Sequence, residues 1–342
     1  MTRDLPERNN FDLVRFTLAM MVCLVHAGQL PGMPELQMLA ARHALATEVA
    51  VPAFFAVSGL LIMRSYERSR GFWPYLEKRA RRILPGYLLV VLGAALALGP
   101  LSSAPAFYFT RDWWAYLGAN LSTLGFLHPT LPGVFDTHVV PAVNGALWTI
   151  KIEIAFYLLA PLLVMAQRRI GAPALIGLVF LLSTFWAMTM RSPFAHQLPG
   201  QLRYFMVGAA FYYGWPWIQP RLLQVGAAAA TLLLAHQVAP LGPLYPIAIG
   251  GAVLAFALAP SVGDFGQHGD FSYGIYILHF PIVQVLIELG AFQRSPWGGV
   301  FAAVVLTLGM AVPLWHLVEA PVLGRRHRRP AHLHSLTGPG PG

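Results

Sequence analysis

Stretches of 17–22 apolar residues recur about ten times along this chain, at 11–30, 46–64, 83–101, 145–166, 171–190, 202–218, 222–239, 243–260, 271–290 and 298–318. A helix needs about 20 such residues to cross a ~30 Å hydrocarbon core. Lipid offers no partner to backbone amides, so a spanning segment has to satisfy them internally. Only 11% of the 342 residues are charged, against about 25% in a soluble domain, too few to cover a water-facing surface. The sequence predicts an all-α polytopic integral membrane protein of about ten transmembrane helices in one bundle, with both termini cytoplasmic.

The basic residues test that orientation, because Lys and Arg collect on the cytoplasmic side. Sixteen of the 23 fall in segments assigned inside, including Arg3, Arg8, Arg64, Arg68, Lys78 and Arg325; five fall outside, at Arg42, Arg111, Arg191, Arg203 and Arg294. Arg15 and Lys151 lie within spans. The net charge of +9 is explained by this bias and does not require nucleic acid. Cys23 is the single cysteine, so no disulfide forms within the chain. Arg3 and Arg8 before an apolar run resemble a signal peptide, but the run holds Arg15 and His26 and is expected to stay as the first span.

The aromatic stretch 105–128 is read as re-entrant or interfacial, with Trp113, Trp114 and Tyr116 at headgroup level. Residues 1–324 form the membrane domain. Residues 325–342 are a basic and then Pro/Gly-rich cytoplasmic tail, expected to be disordered.

Ionisable groups inside a lipid-embedded helix are costly and point to function. Arg15 and His26 are eleven residues apart, almost three helical turns, so they share a face about 16 Å apart along the axis. Asp12, one turn before Arg15, is placed for an i,i+3 ion pair. The pair either makes Arg15 tolerable in the membrane or turns it toward an anionic ligand. His26 has the residue type of a general base near neutral pH, or is a satisfied polar residue in a helix. Arg79 and Arg82, in the loop YLEKRARRILPGY, are topological anchors or a phosphate-binding fork. Glu153 needs a partner, a proton or water; Lys151, two residues away, faces elsewhere. His279, one turn after Tyr276, serves in an interhelical hydrogen bond or in the chemistry. The string GDFGQHG at 263–269 has no Walker lysine and follows no strand, and no metal-binding motif is present.

Together these blocks resemble the membrane-bound acyltransferase-3 family, the type that O-acetylates bacterial surface glycans. FDLVRFTLAMMVCLVH is similar to its opening Arg, ten residues, His, often with a preceding aspartate, matching Asp12, Arg15 and His26. VPAFFAVSGLLI resembles the second-span signature at Ser58 and Gly59, and KRARRILPGY the arginine pair at Arg79 and Arg82. NGALWTIKIEIAFYLLAPLL carries Asn144, Trp148, Glu153 and Tyr157; LRYFMVGAAFYY carries Arg203; FSYGIYILHFP carries Tyr276 and His279. The chain departs from the pattern at Phe16, Lys151, Ile154 and Ala155.

The resemblance implies an O-acyltransferase of the bacterial inner membrane that moves an acyl group, acetyl foremost, from cytoplasmic acyl-CoA to a glycan or glycoside hydroxyl. His26 and Glu153 would be catalytic, and Arg15, Arg79 and Arg82 would bind the donor. Asp12, Ser58, Asn144, Trp148, Tyr157, Arg203, Tyr276 and His279 would support the substrate or the site. Acetyl-CoA is then a donor substrate and no cofactor is held permanently. The chain would act alone or with a separate extracytoplasmic partner protein. A rival class, a transporter or proton-coupled channel, would use Arg15, His26 and Glu153 as a relay and consume no acyl-CoA.

Overall fold

The structure is a computed structural model, and it describes residues 4–42 and 45–324. Arg3 and the expected basic and Pro/Gly-rich tail from 325 to 342 lie outside the described residues. Every described regular element is helical. The principal helices are α1 (Phe11–Gln29), α2 (Val51–Glu67), α3 (Phe72–Ala97), α4 (Arg111–Leu121), α5 (Trp148–Ile170) and α6 (Ala172–Thr189). They continue as α7 (Leu198–Ile218), α8 (Leu222–His236), α9 (Tyr245–Leu258), α10 (Ser272–Glu288) and α11 (Pro296–Pro313). α11 runs on through a π-helical turn, Leu314–Glu319.

Each expected apolar stretch is thus helical. Among the described residues, seven helical stretches qualify by length and composition to cross a membrane. Gly242–Leu258 and Ser272–Glu288 are apolar but shorter, and Phe194–His236 is one helical run that holds two of the expected spans.

Two boundaries differ from the sequence reading. α3 begins at Phe72, eleven residues before the expected span, so Arg79 and Arg82 stand on a helix and not in a loop. Residues 75–82 are largely helix formers, and Glu77 pairs with Arg81 at 2.5 Å. At 26 residues, α3 is about 39 Å long, so its basic first turns extend past a ~30 Å core.

In the 105–128 region, α4 has only 11 residues, about 16 Å, and cannot cross. Trp114 is exposed, as expected of an interfacial residue. Trp113 and Tyr116 instead turn inward. The Trp113 indole donates to the Ala95 carbonyl at 2.8 Å, and Tyr116 is buried. An indole N–H that finds a carbonyl at the end of α3 is better satisfied inside than at the headgroups.

Without a hydrophobic force between helices in lipid, close association depends on small residues. α2 and α7 pack against each other along their length through Gly59 and Gly208. A Cβ at Gly59 would stand 2.0 Å from the Phe205 carbonyl oxygen, and one at Gly208 2.0 Å from that of Ala56. α1 packs on α10 and α2, α2 on α5, and α10 on α3 and α11. The helices bearing the candidate residues therefore meet around one centre.

Candidate active site

At one end of α1, Arg15 Nη1 lies 3.5 Å from Asp12 Oδ1, the expected i,i+3 pair, and 3.2 Å from Asp270 Oδ2. The same Asp270 oxygen takes Arg82 Nη2 at 2.5 Å, and Arg82 Nη1 reaches Glu319 Oε2 at 3.3 Å. Ser272 donates to Asp270 through its amide and its hydroxyl. Burial pushes the Asp270 carboxyl up, but the Arg82 and Arg15 guanidiniums and the Ser272 hydrogen bonds outweigh it. They hold the group well below the usual carboxylate range.

Asp270 and Glu319 were not singled out from the sequence. The signal was present in both cases: a chain with 14 acidic residues places these two at the edges of apolar stretches, where an acid is costly without a cation.

Two connected cavities open from this cluster. The polar one is lined by Arg64, Arg68 and Lys78 in addition to Arg15, Arg79 and Arg82. The other, with about 850 Å³ of empty volume, shares those last three arginines and continues between apolar side chains to Thr149 and Tyr276. A basic mouth thus adjoins a mostly apolar tunnel.

Glu153 and Tyr157 line the tunnel, and Glu153 Oε1 accepts from Ser58 Oγ at 3.0 Å. Arg79 lies with its guanidinium carbon 5.6 Å from the centre of the Tyr157 ring. Lys151 stands 4.0 Å from the Phe126 ring centre and does not line the tunnel, as its two-residue offset from Glu153 implies.

At the far end, the Tyr276 hydroxyl and Thr149 Oγ1 are hydrogen-bonded at 2.8 Å. One turn farther along α10, about 4.5 Å, His279 Nε2 meets His26 Nδ1 at 2.8 Å. The two imidazoles lie parallel, with ring centres 5.0 Å apart, and Phe280 meets His26 edge-on.

His279 is fully buried, and its Nδ1 faces the Ile275 carbonyl at 3.1 Å. A carbonyl oxygen only accepts, so His279 Nδ1 carries the proton and neutral His279 presents a lone pair at Nε2. His26 Nδ1–H donates to that lone pair, which leaves the His26 lone pair on Nε2. That is the arrangement a general base needs.

The remaining candidates divide. Asn144 Oδ1 accepts from the Ala146 amide and its Nδ2 donates to the Ile277 carbonyl at 2.8 Å, tying the start of α5 to the helix that bears His279. Trp148 packs against the core. Arg203 lies away from the tunnel, its guanidinium over the Tyr204 ring at 4.9 Å. Cys23 is buried. Among the described residues, no group of three or more His, Cys, Asp or Glu is placed to hold a metal ion.

The acyltransferase domain of the acyltransferase-3 family matches residues 8–316. An O-acetyl transferase of Shigella phage Sf6 is 29% identical over 330 residues, covering 93% of this chain and 96% of that protein. Nodulation protein 10 of Rhizobium leguminosarum bv. viciae is 27% identical over 359 residues, covering 93% and 94%. A peptidoglycan O-acetyltransferase of Listeria monocytogenes is 23% identical over 334 residues, covering 80% of this chain and 51% of that protein. No solved structure matches significantly. A match that runs from before α1 into the π-helical turn takes in the arginine cluster, the tunnel and the histidine pair alike: the chain is a multi-pass membrane enzyme that belongs to the acyltransferase-3 family.

Proposed function

We propose that this enzyme is an O-acetyltransferase of the bacterial inner membrane. It moves an acetyl group from cytoplasmic acetyl-CoA to a sugar hydroxyl of a surface glycan or glycoside on the other side. The observation that carries the reading is the path from the basic mouth, along the tunnel, to the turn before the His26–His279 pair. A nucleotide thioester has matching parts: phosphates for the cations, a slender arm for the tunnel, and an acyl group delivered toward an imidazole. The name of the full-length Shigella phage Sf6 relative, an O-acetyl transferase, supports O-acetyl transfer, and that of the peptidoglycan O-acetyltransferase supports a large carbohydrate as acceptor.

In the proposed reaction, His26 Nε2 takes the proton of the acceptor hydroxyl as its oxygen attacks the thioester carbonyl. The C–S bond breaks, the C–O ester bond forms, and the imidazolium returns its proton to the departing thiolate. His279 orients His26 through Nε2, the part a carboxylate plays in a Ser-His-Asp triad. Glu153 and Ser58 stand on the donor side of the pair and line the arm of the donor. Arg15, Arg79 and Arg82 line the mouth at which the donor enters. Mass spectrometry of surface glycans with and without the gene tests the reading: the glycans lose one acetyl group per modified unit when the gene is deleted, and unchanged glycans count against it.

A further inference from the structure

Gln284 is fully buried on α10, and an amide inside an apolar helix is costly unless its polar atoms are paired. Its Nε2 donates to the Val140 carbonyl at 2.6 Å and to the Ala142 carbonyl at 2.8 Å. With both amide protons engaged, Oε1 is left to accept, and it accepts from His138 Nδ1–H at 3.0 Å. The other nitrogen of His138 lies 2.9 Å from Glu288 Oε2, one turn farther along α10. Neither Gln284 nor His138 lines the tunnel, and the reaction at the histidine pair uses neither.

The clamped segment, residues 129–143, is a compact loop between α4 and α5. Its ends meet where the Val143 amide donates to the Pro129 carbonyl at 2.9 Å, and Leu131, Val134 and Phe135 seat it by burial. The loop also reaches α1. A Cβ at Gly32, just past the end of that helix, would stand 2.8 Å from Val139 Cγ2. His26 on α1 faces His279 on α10, and the loop bridges the same two helices farther from the basic mouth. Gly32 follows His26 by six residues and Gln284 follows His279 by five, about 7.5 Å along the helix.

We infer that residues 129–143 form the outer wall of the acceptor site, and that Gln284 is the positioning residue that holds this wall over the histidine pair. This rests on the reading of the enzyme as a glycan acetyltransferase and adds what shapes the acceptor's approach. An acceptor hydroxyl that reaches His26 from the side opposite the donor passes the bridge between α1 and α10. The exposed edge of the loop offers it the Asp136 carboxylate, the Thr137 hydroxyl and the apolar side chain of Val139, partners for the hydroxyls and C–H faces of a sugar. Because the clamp is fully paired, the wall is fixed in place and does not act as a moving lid.

The test uses the purified full chain in phosphatidylcholine nanodiscs, acetyl-CoA, and the unacetylated surface polysaccharide of a strain deleted for the gene. Gln284→Leu, which removes the three hydrogen bonds of the amide, should raise the KM for the polysaccharide about tenfold or more and leave the KM for acetyl-CoA unchanged. A merely structural Gln284 would lower the folded fraction, and with it the apparent kcat, without moving either KM; that result overturns the proposal. Failure of the wild type to acetylate the polysaccharide sinks the underlying acceptor reading instead. A second measurement does not depend on how Gln284→Leu folds. Val139→Cys, probed with N-ethylmaleimide while buried Cys23 stays unreactive, should be shielded by the polysaccharide and not by acetyl-CoA. Val238→Cys, at an exposed position in the loop between α8 and α9, should label equally with and without polysaccharide. Labelling at position 139 that the polysaccharide leaves undiminished, or diminishes no more than at position 238, overturns the assignment.

Discussion

His26 Nδ1 and His279 Nε2 are 2.8 Å apart, although 253 residues separate them in sequence. The Ile275 carbonyl on the other nitrogen of His279 fixes the direction of both hydrogen bonds. In the proposed reaction, the orientation of His26 is therefore set from α10, by one backbone carbonyl acting through a buried imidazole.

His279→Ala should lower kcat by about 10²-fold or more while leaving the KM for acetyl-CoA near its wild-type value. His279→Asn, whose amide can both donate to Ile275 and accept from His26, should recover part of kcat. Steady-state kinetics with the pH dependence of kcat checks this. A purely structural His279 would give no difference between Asn and Ala at equal folded fraction.

Asp270→Asn should destabilise the protein by about 3 kcal/mol, because it leaves two largely buried guanidiniums with less counter-charge. The pH dependence follows from the depressed carboxyl. The stabilisation is fully present above the unfolded-state pKa of about 3.9 and is lost as pH falls from there through the lower folded-state value. Thermal melts in detergent between neutral pH and roughly pH 3 should show an acid-induced loss in the wild type that is smaller in the variant.

Gly59→Ala should force α2 and α7 apart, since its Cβ would meet backbone and not a side chain that could move. A loss of about 1–3 kcal/mol is expected, visible as a lowered Tm. An unchanged Tm would mean that the two helices slide past each other freely.

The helices and the shared face of Arg15 and His26 were legible because both follow from local rules, apolar length and 100° per residue. The Asp12–Arg15 pair was legible for the same reason. What the sequence left open was which distant helix completes each group. Asp270 completes both arginines and Ser58 holds Glu153, yet no spacing within one helix encodes either contact. Arg82 has the pattern of a ligand-binding arginine, and only the folded chain reveals the two carboxylates already on it. Trp113 shows the converse: interfacial by composition, it turns inside to donate to the Ala95 carbonyl, which also accepts from the Tyr108 hydroxyl.

His26→Ala should insert and fold normally but lose about 10²–10⁴-fold or more of its transfer rate. The most direct measurement places purified enzyme in proteoliposomes, supplies radiolabelled acetyl-CoA on the side of the basic mouth, and reads label on a glycan acceptor present only on the other side. The account predicts labelled acceptor with wild-type protein and none above background with His26→Ala. Equal labelling by the two proteins would contradict it.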